Sequence, residues 1–442
     1  MKAGLIFLQL FVSINCFTQT VRHLDDLSMT AIDNAVNDVM SQNWLPSVSV
    51  AVIYNGRVAY TNAYGHSAPN VTATTATKYP IASVSKTITG ILAMRMVQNG
   101  DIALSDLVSN YVSGYNNTGI RIRHLLCHQS GIGHYDNCPN GYSGAFNSSA
   151  SLVVVNGCSR CMTPVGSGTL YTTFGTTLLG VIIDKVGVLN YGKTYIQLYN
   201  EWIRDAAGLT DLTAEYNNLV NNIAVGYSKF GIAQPGYWDD IGWKLPAGGF
   251  VSTAHDLGGF GVGVMNNTFI NSVSSSQMWQ TQSTSGTPTN TCVDSLTSAF
   301  GLAFRVSNSA NVTRIFHNGL NDHGFSSFLY LYPYEKSGIA LLTNRYEQTD
   351  ALDDIRQLLE SIMLCPANRN FTSQVNTDED WIYEATTIQA SNTFATGPGS
   401  IVFDGGTEVI LKPGFQAKAG MNFRAINDGC SGSVNPNKTE QK

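Results

Sequence analysis

The chain has 442 residues and a formal net charge of −6, with only 13% of its residues charged and with Asn, Ser and Thr abundant. That charge gives no electrostatic case for nucleic-acid binding, and the length exceeds one ordinary domain. About 340 residues fit one large unit, with a smaller appendage behind it.

Residues 1–18 read as a cleavable signal peptide. Lys2 precedes an apolar run from Leu5 to Phe17, broken by Gln9 and Asn15, and cleavage is expected before Gln19. The run is too short for a membrane span, so no transmembrane span is expected in the mature protein. Cys16 lacks the preceding aliphatic and small residues of a lipoprotein box. Of eight cysteines, seven remain after cleavage, enough for at most three bridges plus one free thiol. Cys138 with Cys158 or Cys161 is the local pairing to test. Leu27 to Met40 carries Ile32, Val36 and Met40 at helical spacing, and Ser49–Tyr54, Asn55-Gly56 and Arg57–Tyr60 spell a β-hairpin.

Ser83-Val84-Ser85-Lys86 follows, at the opening turn of an apolar helix marked by Ile88, Ile91 and Leu92 and stopped by Asn99-Gly100. The spacing puts hydroxyl and amine on one helix face. Unpaired N–H groups at a helix start can meet an oxyanion, so Ser83 is placed to attack a carbonyl. Lys86 can take its proton if burial and neighbours keep the amine neutral part of the time. A capping serine beside a solvated lysine would look the same in isolation.

Four further blocks follow in order. They are His124 to Ile132, Gly168 to Gly175 running into Leu178 to Ile183, Ala247 to Leu257, and His317-Asn318-Gly319 with Gly324 to Ser327. In order and spacing the five blocks resemble the serine β-lactamase and penicillin-binding superfamily. The branch is the one holding class C β-lactamases, D-Ala-D-Ala carboxypeptidases, D-aminopeptidases and related esterases. The resemblance spans Leu27 to Cys365. It implies an acyl-enzyme on Ser83, with Tyr171 sharing a proton with Lys86 and delivering it to the leaving group. A phenol of pKa about 10 needs the lysine beside it to become a phenolate, so the two act as a coupled pair. His317-Asn318-Gly319 resembles the third motif, on a strand facing Ser83, with Gly319 letting substrate backbone approach. The implied oxyanion donors are the N–H groups of Ser83 and Leu320.

Two positions depart from the usual pattern. An imidazole at His317 is only partly charged at neutral pH, so it holds a substrate carboxylate less firmly than the lysine of many relatives. Thr173 stands where relatives carry asparagine, and its hydroxyl has shorter reach and one donor. That loss bears on β-lactam and D-Ala amide turnover more than on esters, which have better leaving groups.

No Gly-x-Ser-x-Gly elbow and no His-Glu-x-x-His stretch occurs. Cys158-Ser159-Arg160-Cys161 has no second pair for zinc, and Cys127 beside His128 reads as a buried structural thiol. His124, His134 and His255 make no metal spacing and default to surface or capping roles, so neither metal nor cofactor is expected.

Ser326–Tyr332 and Gly338–Thr343 form a second hairpin before a helix from Ala351 to Leu364. The expected fold is α/β in the α+β sense. Helix and hairpin from both ends build one antiparallel sheet flanked by helices, the middle of the chain forms a helical lobe, and the site lies in the cleft between them. Asn266 to Thr291 reads as a polar loop edging that cleft. The expected domains are the hydrolase at 24–365, a linker at 366–385, a small all-β domain at 386–430 and a disordered tail at 431–442. In that small domain Ile401-Val402-Phe403 and Val409-Ile410-Leu411 alternate with Gly-rich turns and Lys412-Pro413-Gly414-Phe415. It resembles the stacked-β module at the ends of exported Bacteroidetes proteins and reads as a cap or spacer that could contact the cell surface.

The expected function is an exported serine hydrolase, periplasmic, surface-bound or secreted. Its substrate is an amide or ester: a peptidoglycan-like peptide, a β-lactam or a small ester. The alternative is a catalytically weak cell-wall-binding or penicillin-recognising protein, its turnover impaired by Thr173.

Overall fold

The computed structural model describes residues 26–426 apart from 114, 116–118, 136–140, 142–143, 158–164, 167, 215–220, 235–240, 284–298, 310–311, 365–367, 372–374, 377–380, 392–393, 397–399 and 418–421. The signal peptide, the Cys138, Cys158 and Cys161 pairing and the tail 431–442 lie outside the described residues.

Helix α1 (Asp26–Gln42) buries Ile32, Ala35, Val36 and Val39 on one face. It leads into β1 (Ser47–Tyr54) and β2 (Arg57–Ala68), with β3 (Val71–Thr72) at the edge. At the first hairpin Asn55 and Gly56 both take left-handed φ, 51° and 72°, as a type I′ turn demands. The middle of the chain supplies α2 (Ser85–Asn99), α3 (Thr173–Tyr191) and α4 (Ala254–Met265). The chain then returns through β4 (Ala299–Phe300), β5 (Arg305–Ser309), β6 (Val312–Asn321), β7 (Phe325–Tyr332) and β8 (Ser337–Thr343), and closes with α5 (Thr349–Leu364).

Strand β8 pairs antiparallel with β1, from Val48 opposite Thr343 to Ile53 opposite Gly338. This joins the two chain ends into one sheet of order β3-β2-β1-β8-β7-β6-β5-β4. Every residue of β1 and β8 is buried, because helices cover both faces. Val48, Val50, Val52, Phe328, Ile339 and Leu341 pack with Ile32 and Val36 of α1 and Leu352, Ile355 and Leu359 of α5. Ala51, Ile53, Leu329 and Leu342 point the other way, into the cluster that holds α2, α3 and α4. Helix α3 is long and apolar enough to cross a bilayer, yet Phe174, Leu178, Leu179, Val181, Ile182 and Ile183 are all buried within this cluster.

The span from Asn266 to Thr291, read from sequence as a loop, contains a helix at Ser272–Trp279. Its serine-rich sequence hides the helical period. The signal is the Asn271 side chain, which accepts the Ser274 N–H at 2.9 Å as an N-cap.

The described residues divide into two compact units, the second starting at Asn368. Here β9 (Asn368–Phe371), β11 (Trp381–Ala390), β13 (Ser400–Leu411) and β15 (Asn422–Ile426) pair in parallel. The short strands β10 (Val375–Asn376), β12 (Phe394–Thr396) and β14 (Gln416–Ala417) form a second parallel sheet. The chain alternates between the two, so it coils and stacks turn on turn. The span expected to be a linker, 366–385, carries β9, β10 and the start of β11. Its polar residues conceal strands whose hydrogen bonds go to neighbouring turns of the coil.

Buried Asn344 ties the ends of the sheet together. Its Nδ2 donates to the carbonyls of His66, Ser67 and Val225, and its Oδ1 accepts from Ser47 Oγ at 2.6 Å. Asn344→Leu leaves these groups unpaired and is expected to destabilise the unit by about 2–4 kcal/mol, read as a lowered thermal midpoint. An unchanged midpoint would show that the clamp contributes nothing.

Candidate active site

The Ser83 backbone is set by its neighbours. Tyr79–Pro80 pairs with Val251 and Ser252, and the Ile81 N–H reaches the Phe250 carbonyl at 2.9 Å. A 3-10 turn over Ala82–Val84 then runs directly into α2. Ala82 has φ 45°, a left-handed conformation costly for a residue with a Cβ, immediately before Ser83. Ser83 therefore sits at the start of a helix, as its sequence context implies.

Lys86, 1% exposed, lies one turn on. Its Nζ is 3.1 Å from Ser83 Oγ, 3.4 Å from Thr173 Oγ1 and 2.7 Å from the Ala247 carbonyl oxygen. The sequence block beginning at Ala247 thus supplies a fixed backbone acceptor. Burial holds the Lys86 pKa well below the ordinary lysine value, and the positive charges of Lys244 and Arg305 push the same way. A neutral amine can accept the Ser83 proton along the existing hydrogen bond.

Tyr171 lies beside this pair, with Lys86 Nζ 5.0 Å from its ring centroid. Its ring is surrounded by His128 at 4.7 Å, His134 at 5.4 Å, His317 at 5.9 Å and Phe300 at 6.2 Å, centroid to centroid. Arg305 lies over both Phe300 and Tyr171, at 5.0 and 5.8 Å. Lys244 lies over Tyr135 and Trp243, at 5.7 and 5.8 Å. Sequence spacing singled out none of His128, His134, Lys244 or Arg305 as site residues. No motif periodicity links them, and an Arg in an otherwise apolar stretch is the only signal for Arg305. Cys127, next to His128, is a buried free thiol whose pKa burial raises to about 11, in keeping with a structural role.

His317 is 1% exposed on β6. Its Nδ1 lies 2.7 Å from the Asn318 carbonyl oxygen, which can only accept, so Nδ1 carries the proton. Its Nε2 is then a buried lone pair with no hydrogen-bond partner. Burial and then the charge of Arg305 hold its pKa well below 6.5, with the Asn318 contact opposing. The partly charged imidazole expected from sequence is therefore neutral, and it presents an acceptor where a carboxylate-binding cation was considered. Gly319 also differs from expectation. A Cβ there would come within 2.3 Å of the Ile81 oxygen, 2.4 Å of Ser327 Oγ and 3.1 Å of Ser83 N, so the close approach is by the protein's own nucleophile turn. Leu320 follows, 41% exposed, on the stretch of β6 beyond Phe316 where β5 no longer pairs.

The Beta-lactamase family model matches residues 32–361. The chain belongs to that family. It is 26% identical over 332 residues to Protein flp of Staphylococcus aureus (strain N315), covering 72% of this chain and 63% of that protein. Beta-lactamase-like protein 4 of Dictyostelium discoideum is 24% identical over 253 residues, 51% of this chain and 43% of that one. The chain thus spans less than two thirds of the length of these curated relatives. Among solved structures, a class C beta-lactamase superposes with TM-score 0.63 at 20% identity, covering 77% of this chain and 98% of that one. The D-amino acid amidase from Ochrobactrum anthropi SV3 gives 0.64 at 18%, covering 76% and 99%. The β-lactamase/transpeptidase fold expected from the sequence is the one the chain adopts.

The histidines give a pH dependence of stability. His128 and His317 have pKa values well below 6.5 and His134 is lowered to about 4, burial being the first cause in each. Below about pH 6.5 the unfolded chain binds protons that the folded one does not, so stability falls with pH. The urea midpoint is expected to drop between about pH 7.5 and 5. A flat midpoint across that range would mean that these rings protonate freely in the fold.

Proposed function

We propose that the protein is an exported serine hydrolase that forms an acyl-enzyme on Ser83 from an amide or ester. The observation that carries this reading is the buried amine of Lys86 at 3.1 Å from Ser83 Oγ, its pKa drawn well below the usual lysine value by burial and cationic neighbours. Lys86 takes the hydroxyl proton as Oγ bonds to the carbonyl carbon. The N–H groups of Ser83 and Leu320 receive the oxyanion, and Tyr171 with Lys86 returns the proton to the leaving group. Water then hydrolyses the ester to regenerate Ser83.

Thr173 favours esters over amides and β-lactams, since its oxygen accepts from Lys86 and its single O–H donor reaches less far toward a substrate carbonyl than an asparagine amide would. The fixed charges of Arg305 and Lys244, rather than His317, support a substrate with an anionic group. Export rests on the signal-peptide pattern of residues 1–18 and on the resemblance of the C-terminal unit to surface-associated modules.

Intact mass spectrometry with a fluorophosphonate, a fluorescent penicillin and a chromogenic cephalosporin tests this reading. A fluorophosphonate adduct is expected, lost in Ser83→Ala; with no adduct from any probe, the non-catalytic binding protein becomes the better account. Lys86→Met is expected to slow acylation at least about 10³-fold while raising the thermal midpoint by about 2–4 °C, because it removes a buried amine that lacks a counter-charge. A lower midpoint in that variant would contradict the neutral-amine argument. Thr173→Asn is expected to raise penicillin acylation about tenfold relative to fluorophosphonate labelling, and an unchanged ratio would clear Thr173 of a role in leaving-group preference.

A further inference from the structure

Two consecutive peptide N–H groups follow Tyr171, and each is taken by a histidine. Thr172 N donates to His128 Nδ1 at 3.3 Å, and Thr173 N donates to His134 Nδ1 at 3.1 Å. Both rings also pack on Tyr171, at 4.7 and 5.4 Å. Thr172 is the N-cap of α3, and its Oγ1 binds the Gly133 carbonyl at 2.8 Å, fastening the same loop a second time. Thr173 Oγ1 in turn accepts from Lys86.

The choice of imidazole is informative. Amides at a helix start most often find a serine, threonine, aspartate or asparagine oxygen, and negative charge is favoured there by the helix dipole. A carboxylate at His134 would accept the Thr173 N–H equally well. It would also set an anion beside Lys86 and favour the ammonium form, removing the base. A neutral imidazole accepts the N–H and lends no charge. An Nδ1 that accepts cannot carry a proton, so both rings are held as the Nε2–H tautomer.

We infer that His128 and His134 form a charge-free bracket that positions Tyr171 and Thr173 around Lys86 while leaving its amine neutral. They are positioning residues, and the inference rests on the serine-hydrolase reading above. The charged and titratable groups facing His134 are Lys86 from α2, Lys244 from the segment before Leu245, His128, and Tyr171 and Tyr135 by ring contact. His317 and Arg305 act on His128 from the sheet side. No acidic group acts on either ring among the described residues.

The test is the pH profile of Ser83 labelling by a fluorophosphonate in the full chain, for wild type, His134→Gln, His134→Asp and His134→Phe, with folding followed by circular dichroism. His134→Phe lacks the acceptor and is expected to slow labelling about ten- to a hundredfold through misplaced Tyr171 and Thr173. His134→Gln supplies an uncharged acceptor and is expected to recover most of that loss. His134→Asp also supplies an acceptor, but is expected to move the rise of labelling with pH upward by about one to three pH units. A folded Asp variant with the wild-type profile, or a folded Phe variant with the wild-type rate, overturns the bracket. If the wild type shows no Ser83-dependent labelling at any pH, the serine-hydrolase reading falls and the bracket falls with it. Labelling with an unmoved Asp profile defeats the bracket alone.

Discussion

A lysine amine sealed from water, with cations for electrostatic neighbours, is the constraint around which this protein is built. Leaving Lys86 charged there would cost several kcal/mol, so its pKa falls well below the usual lysine value while the fold still gives its hydrogen-bonding capacity fixed partners. Ser83, Thr173 and Ala247 provide them from three separate elements. Those elements can meet only because α2, α3 and the segment before α4 pack in one apolar cluster against a sheet made from both ends of the unit. The strained Ala82 and the close approach of Gly319 to the Ile81–Ser83 backbone belong to the same device, since they fix the turn that presents the hydroxyl.

The site is also notable for where its charge lies. The groups that act on Lys86 and the three histidines are predominantly cationic, and His317, His128 and His134 answer by staying neutral. Positive charge is left to Lys244 and Arg305, each lying over aromatic faces that attract a cation. In the proposed reaction, recognition and proton transfer thereby fall to different groups, which suits a base that must be uncharged. Thr173 fits the same economy of charge, because it accepts from Lys86 with a neutral hydroxyl.

The second unit follows another logic. Its strands pair in parallel along a coil, so each turn covers the last, and Phe403, Phe415 and Phe423 stack inside it. Such a coil builds a folded unit from short apolar triplets and tight turns, with no need for a large core.

Much of this was determined by local sequence. The Asn55-Gly56 turn, the α1 stripe of Ile32, Val36 and Met40 and the helix start at Ser83-x-x-Lys86 depend on neighbours a few residues away, and periodicity records such interactions directly. Order and spacing of the blocks carried Tyr171, Ala247, His317 and Gly319 to the right vicinity. Tertiary structure alone decided the chemistry of the site. The lowered pKa of Lys86 follows from burial and from cations more than 150 residues away in the chain, and that of His317 first from burial, which no local pattern encodes. His134 reads as an ordinary loop histidine until α3 brings the Thr173 N–H to its ring, and Gly319 reads as room for substrate until Ile81 and Ser83 fill that room. A sequence fixes which groups are available and their intrinsic pKa values. Only the packed fold sets their desolvation and their distances, and these decide which of them can act as a base.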